Sequence, residues 1–355
     1  MKTWQTRSYK RPGGGRRWPM AAVWLTAALL TAPPAGVVAV AAEPTDSLIP
    51  RRVLDPLDQC PCWTGRVDAL LLWRDAPQGT GLFNTLGPNP AAGINAADLA
   101  SGLAAGPRFT LFRHTGDLGA IEFNYFRVQS FTASVDKSSQ PPGDYVFADG
   151  VLCCSPFALF EDVGAAMASN LQSFEINRRL PTDGRVQWLA GFRWFQWNES
   201  LGLDGVTGLG DEFGIATQTN NDLYGMQVGL DSILWRSGGR FWIEGLGKAG
   251  LFYNRAGQFT SFVSSVDDPA SIAGGTSTSR AAFVGELGLT GVWQVNDWLA
   301  LRTGWVAFWL GGLALAPNQL DQQCLICEDE PVTQATDTGG SVFINGLTLG
   351  LEARW

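Results

Sequence analysis

Ten stretches of this chain alternate residue by residue between apolar and polar, and the connections joining them alternate between long and short. Period-2 alternation is the signature of a strand with two different faces. The stretches are 63–73, 106–113, 119–128, 171–180, 185–197, 223–235, 240–253, 280–294, 298–310 and 342–355. The short connections are His114–Leu118, Pro181–Gly184, Arg236–Gly239 and Val295–Asp297, each carrying the Gly, Pro, Asn or Asp that tight turns need. The long ones run over 74–105, 129–170, 198–222, 254–279 and 311–341. A globular domain rarely tolerates five such loops. An all-β, antiparallel transmembrane barrel of about ten strands has this asymmetry, with short periplasmic turns and long extracellular loops.

The two phases of each stretch agree with a barrel in lipid. Val186, Trp188, Ala190, Phe192 and Trp194 share one phase, opposite Gln187, Gly191 and Arg193. Phe343, Leu347, Leu349, Leu351 and Trp355 oppose Gly346, Thr348, Gly350, Glu352 and Arg354. Lipid demands an apolar outside, whereas a lumen holds polar and small residues. A soluble lipocalin-like barrel would reverse the two faces. It would not account for strands of ten or more residues, nor for where the tryptophans fall. Following the chain up and down puts Trp63, Trp188, Trp235, Trp242, Trp293, Trp298 and Trp355 at the periplasmic rim. Trp73, Trp194, Trp197 and Trp309 fall at the outer rim, giving the two aromatic girdles of a membrane barrel.

Residues 1–42 read as a signal peptide. Lys2, Arg7, Lys10, Arg11, Arg16 and Arg17 form a basic head, followed by an apolar run and Val40-Ala41-Ala42 before Glu43. Residues 43–62 then form a periplasmic segment and 63–355 the barrel. Beyond the leader, 19 basic side chains face 33 acidic ones, a formal charge of −14, which argues against a nucleic-acid partner. The partners expected are outer-membrane lipid and the machinery that assembles such barrels.

Six cysteines fall in three close groups: Cys60 with Cys62, Cys153 with Cys154, and Cys324 with Cys327. An even number in an exported chain favours disulfides, with fifteen pairings open. No cofactor is indicated. Acidic runs at Asp211-Glu212, Asp267-Asp268 and Glu328-Asp329-Glu330 lie in the long loops. They are candidates for bridging by divalent cations, although no ordered calcium-loop motif is present.

The chain resembles the beta-barrel porin-7 family. The likeness rests on Gly106-Pro107-Arg108-Phe109, on Phe283-Val284-Gly285-Glu286-Leu287-Gly288-Leu289, and on the segment Trp298–Ala316 with Pro317. It closes with Asn345-Gly346-Leu347 and Gly350-Leu351-Glu352. It implies a barrel in the outer membrane and supplies no catalytic or ligand residues.

Chemistry is thin by contrast. Barrel proteases and lipases need a histidine base near the outer rim, and the single histidine, His114, falls in a periplasmic turn. No catalytic residue and no enzyme activity are therefore expected. The inward phase carries acidic Asp68, Glu122, Glu175, Asp231, Glu244, Glu286 and Glu352. It also carries basic Arg66, Arg108, Arg179, Arg193, Lys248, Arg302 and Arg354. Seven of each sign at membrane depth either pair with one another or line a watery path. A small polar channel, a closed structural or adhesive barrel acting through its acidic loops, and a soluble binding barrel are the readings this leaves, in that order.

Overall fold

The computed structural model describes residues 63–86, 93–139, 144–148, 151, 158–180, 186–266, 270–322 and 335–355. The leader, the segment 43–62, the turn Pro181–Gly184, Asp267-Asp268 and Glu328–Glu330 lie outside the described residues. So do all the disulfide candidates: Cys60, Cys62, Cys153, Cys154, Cys324 and Cys327. Among the described residues there are thirteen strands: β1 Trp63–Arg74, β2 Gly81–Thr85, β3 Ile94–Asn95, β4 Ala104–His114, β5 Ala120–Ser138, β6 Tyr145–Phe147 and β7 Phe160–Arg179. The rest are β8 Val186–Thr207, β9 Glu212–Arg236, β10 Phe241–Ser264, β11 Ala270–Gln294, β12 Leu299–Leu313 and β13 Gly340–Arg354.

Ten of them close into one antiparallel barrel. Each of β1, β4, β5, β7, β8, β9, β10, β11, β12 and β13 pairs with the next, and β13 returns to β1 along the register Thr64↔Arg354 to Arg74↔Ile344. The short β2, β3 and β6 pair among themselves and join the barrel's hydrogen-bonded ladder at Tyr145↔Phe160.

The short turns lie together at the end where the chain enters β1 and leaves β13, the turn end. Their chemistry is local. In the β9–β10 turn Gly238 takes φ +75°, a backbone state side chains resist, and Ser237 Oγ donates to the Phe241 carbonyl at 3.0 Å. In the β11–β12 turn the Asn296 side-chain oxygen accepts from the Trp298 and Leu299 amides at 3.0 and 2.8 Å.

The opposite, loop end corrects the sequence reading. Segments 198–222 and 254–279 are mostly strand: β8 runs on to Thr207 and β9 starts at Glu212, while β10 runs on to Ser264 and β11 starts at Ala270. The 129–170 connection likewise shrinks, because β5 and β7 extend into it.

Near the turn end the outer wall is apolar. Val67, Leu111, Phe192, Met226, Leu251, Leu287 and Leu349 are exposed on it, whereas Glu122, Glu175, Arg193 and Glu286 are buried inside. That arrangement excludes a soluble barrel, which would expose its charges. At 3.3 Å per residue and a 35–45° tilt, about ten residues per strand make a band about 25 Å tall, matching a hydrocarbon core.

One register row marks the upper limit of the band. Tyr125, Phe174, Trp194, Tyr224 and Tyr253 lie side by side on β5, β7, β8, β9 and β10. One step further, Arg127, Gln172, Gln196, Asp222 and Arg255 form the next outward row. Gln172 donates to Gln196 at 2.6 Å and Gln196 to Asp222 at 2.8 Å. Aromatic rings beneath hydrogen-bonded polar groups are what an interface between lipid and water selects.

Above that row the two faces exchange character. On β8 Phe195, Trp197, Leu201 and Leu203 turn inward and are buried, while Gln196, Asn198, Ser200 and Asp204 face outward. Trp197, expected in the outer girdle, is fully buried inside for this reason. Trp242, expected in the turn-end girdle, is only 4 % exposed; it points inward and donates through Nε1 to Glu244 at 2.7 Å. Trp63, Trp73, Trp188, Trp194, Trp235, Trp293, Trp298, Trp309 and Trp355 lie on the outward face at the band's edges.

Candidate functional site: a filled bore

Inward positions of the ten strands converge on a charged layer in the turn-end half of the bore. Glu352 on β13 takes Arg66 at 2.7 Å, Arg302 at 2.9 Å and Arg354 at 2.7 Å. Arg302 also reaches Glu244 on β10 at 2.9 Å, spanning β11. Arg179 on β7 pairs with Glu122 and, at 2.8 Å, with Asp231 on β9. Lys248 on β10 crosses the bore to Glu175 at 2.9 Å and Glu122 at 3.3 Å. Arg193 on β8 meets Glu286 on β11 at 2.8 Å, and Arg108 approaches Glu286 from β4 at 3.9 Å.

Amides complete this layer: Asn177 donates to Glu122 and Glu175 at 3.1 Å each, and Gln227 donates to Glu175 and to Asn177, the latter at 2.8 Å. Asp68 lies in the wall of a polar cavity of about 60 Å³, shared with Arg108, Thr110, Asn124, Thr290 and Thr348. A few water molecules fit there.

Toward the loop end the bore turns apolar. Leu70, Leu72, Phe126, Phe195, Trp197, Phe308, Leu310 and Ile344 form one buried cluster drawn from opposite walls. Phe126 on β5 lies 5.4 Å from Phe308 on β12, ring centre to ring centre, and Phe195 on β8 lies 6.4 Å from the same ring. The Arg193 guanidinium covers all three rings at 5.0–5.9 Å, and Arg108 covers Phe126 and Phe308 at 5.4 and 6.0 Å. Cations over aromatic faces are held by the ring quadrupole, so the two layers are joined rather than merely stacked.

A segment of chain, 312–322, enters above them. The strand register of β12 breaks at Gly311/Leu313, and Gly312 takes φ +85° to turn the backbone inward. Leu313, Ala314, Leu315 and Ala316 are buried in the bore. Three polar side chains hold this segment. Asn221 donates to the Ala314 carbonyl at 2.8 Å and accepts from its amide at 2.7 Å. Asn254 donates to the Gly312 carbonyl at 2.9 Å, and Glu199 accepts from the Ala316 amide at 2.9 Å. Glu199 in turn pairs with Arg74 on β1 at 2.7 Å.

Sequence reasoning missed Arg74, Glu199, Asn221 and Asn254. Arg74 and Glu199 continue the inward phases of Arg66 and Arg193 just past the ends of the alternating stretches. Beyond them a further apolar core, including Phe83, Phe147, Phe160, Phe213 and Phe262, fills the loop end between the barrel wall and β2, β3 and β6.

His114 sits at the turn end, within 3.1 Å of the Thr64 hydroxyl. Among the described residues no group of three His, Cys, Asp or Glu side chains is placed to hold a metal ion. Asp211 and Thr207 instead close the β8–β9 hairpin, with the Asp211 amide donating to Thr207 Oγ1 at 3.1 Å.

No protein-family profile matches the chain, and no curated protein matches it. Solved structures with a similar course include the outer-membrane protease OmpT from Escherichia coli, at 10 % identity and TM-score 0.45. That match covers 83 % of this chain and 97 % of the protease. The translocator domain of autotransporter NalP from Neisseria meningitidis aligns at 11 % identity and TM-score 0.35, over 83 % and 89 % of the two chains. The P. putida toluene transporter TodX aligns at 8 % identity and TM-score 0.28, over 82 % and 89 %. Likenesses this distant say nothing of activity; the barrel assignment rests on the strand register.

Proposed function

We propose that this protein is an outer-membrane barrel with a closed bore, whose work is done by the tall wall at its loop end. One observation carries the reading: side chains from opposite strands meet across the bore, Phe126 against Phe308 and Lys248 against Glu122 and Glu175. A porin keeps a wetted path, and here the charged groups that would line one are spent on each other. The leader, export and passage through the barrel-assembly machinery belong to the same proposal. So do disulfides among Cys60, Cys62, Cys153, Cys154, Cys324 and Cys327, and cations bridging the acidic loops.

A second reading, a small-solute channel, is favoured by the polar cavity on the turn-end side and by the resemblance to the porin-7 family. In it the segment 312–322 would have to leave the bore. Planar-bilayer recording of the mature chain, residues 43–355, separates the two. Inserted protein without discrete conductance steps supports the closed barrel. Reproducible steps whose ion preference changes in Arg193→Ala would establish the channel instead.

A further inference from the structure

Two arginines stand on the lipid-facing side of the wall at the turn end. The register row Trp63, Arg113, Ile121, Arg178 runs across β1, β4, β5 and β7, so the arginines are separated only by Ile121. Two antiparallel neighbour spacings put their backbones about 10 Å apart. The Arg113 guanidinium lies 5.1 Å from the Trp63 ring, and Arg178 donates through Nη2 to the Leu118 carbonyl. Both side chains are therefore oriented along the rim rather than left to wander.

Their setting is asymmetric. On the membrane side the same face of β4, β5 and β7 shows exposed Phe109, Leu111, Phe123 and Ile176. The outward positions of these three strands between Pro107 and Arg113, Ile121 and Tyr125, and Phe174 and Arg178 hold no carboxylate. Charge and apolar surface thus follow one another in the order of a lipid's own headgroup and chains.

We infer that Arg113 and Arg178 form a binding site for an anionic phospholipid of the turn-end leaflet. Its phosphate sits between the two guanidinium groups, and its chains lie along Leu111, Phe123 and Ile176. The inference rests on the membrane reading of the barrel. Guanidinium donors match phosphate oxygens in geometry as well as charge, and Trp63 belongs at the same depth.

The test is native mass spectrometry of the folded mature barrel in micelles holding equal amounts of phosphatidylglycerol and phosphatidylcholine. Phosphatidylglycerol adducts should dominate on the wild type, and the preference should fall about fivefold for each arginine lost, the scale of one basic side chain at an anionic surface. R113Q/R178Q should bind the two lipids equally, while R113K/R178K, which keeps the charge but loses the guanidinium fork, keeps only part of the preference. Equal adducts on the wild type, or an undiminished preference in R113Q/R178Q, would overturn the site. Should the double variant not fold, as judged by loss of heat-modifiable migration on gels, the single variants R113Q and R178Q decide by the same ratio. A wild-type chain that does not enter micelles as a folded barrel would instead refute the membrane reading itself.

Discussion

The rings of Phe126 and Phe308 stand 5.4 Å apart although their strands lie four apart around the barrel, so these side chains meet across its interior. Phe308 also neighbours Phe195 and lies under the guanidinium groups of Arg108 and Arg193. Truncating it opens a hole and strips two cations of an aromatic face. Phe308→Ala should destabilise the barrel by about 3–5 kcal/mol in a denaturant titration. If the bore is closed by these rings, Phe126→Ala/Phe308→Ala should also show conductance steps that the wild type lacks.

Arg193 and Glu286 are both almost fully buried and 2.8 Å apart. Removing Glu286 strips Arg193 of its close ion pair, and removing Arg193 leaves Glu286 only the 3.9 Å approach of Arg108, so Arg193→Met and Glu286→Met should each cost about 3–5 kcal/mol. The double variant Arg193→Met/Glu286→Met should recover much of that loss. A double-mutant cycle on unfolding free energy measures it, and additive losses would mean that the pair is not coupled.

Asn221 holds both backbone groups of Ala314 and is itself held by Asn254 at 3.0 Å. Asn221→Ala leaves buried backbone groups unmet, at about 1–3 kcal/mol each. The expected result is a folded barrel in which a protease now cuts within 312–322. Unchanged resistance to cleavage would show that the apolar contacts of Leu313 and Leu315 are enough to hold the segment.

Gly346 lies at the seam where the last strand meets the first. A Cβ there would fall 2.0 Å from the Leu71 carbonyl oxygen. Because that atom is backbone, it cannot turn away, and Gly346→Val should prevent β13 from closing on β1. Loss of heat-modifiable migration, with the chain still expressed, is the readout. At Gly202 the nearest atom to an added Cβ is the Ala166 carbonyl oxygen at 4.0 Å, an ordinary contact, and Gly202→Ala should fold normally.

Much of this architecture can be read from residue order alone, because the ten barrel strands alternate strongly within the lipid band. Their loop-end halves could not be read so, and β8 shows why. Up to Trp194 the apolar phase faces lipid; from Phe195 the apolar phase faces inward, with no bulge between them. The backbone continues unchanged while the solvent outside changes from lipid to water. A reading that assigns one apolar face per strand therefore stops at the crossing, and it places Trp197 on the wrong side. On β5 the same boundary is accompanied by a true irregularity, between Val128 and Phe131, with Ser130 at φ +71°. The filling of the bore was less legible still. Charge counts place seven acids and seven bases inside, but only geometry tells that they reach one another.

The barrel wall is uneven in height. β8 runs from Trp194 to Thr207, about 43 Å of strand beyond the aromatic row, whereas β1 ends at Arg74, one residue past Trp73. Two flanks of one molecule would therefore present themselves differently to anything arriving at the loop end. The β8–β9 hairpin tip at Gly208–Asp211 is carried well beyond the aromatic row, while the paired strands of the β13–β1 seam stop close to it. Recognition of such a surface would be directional, with one side of the barrel offered and the other withheld.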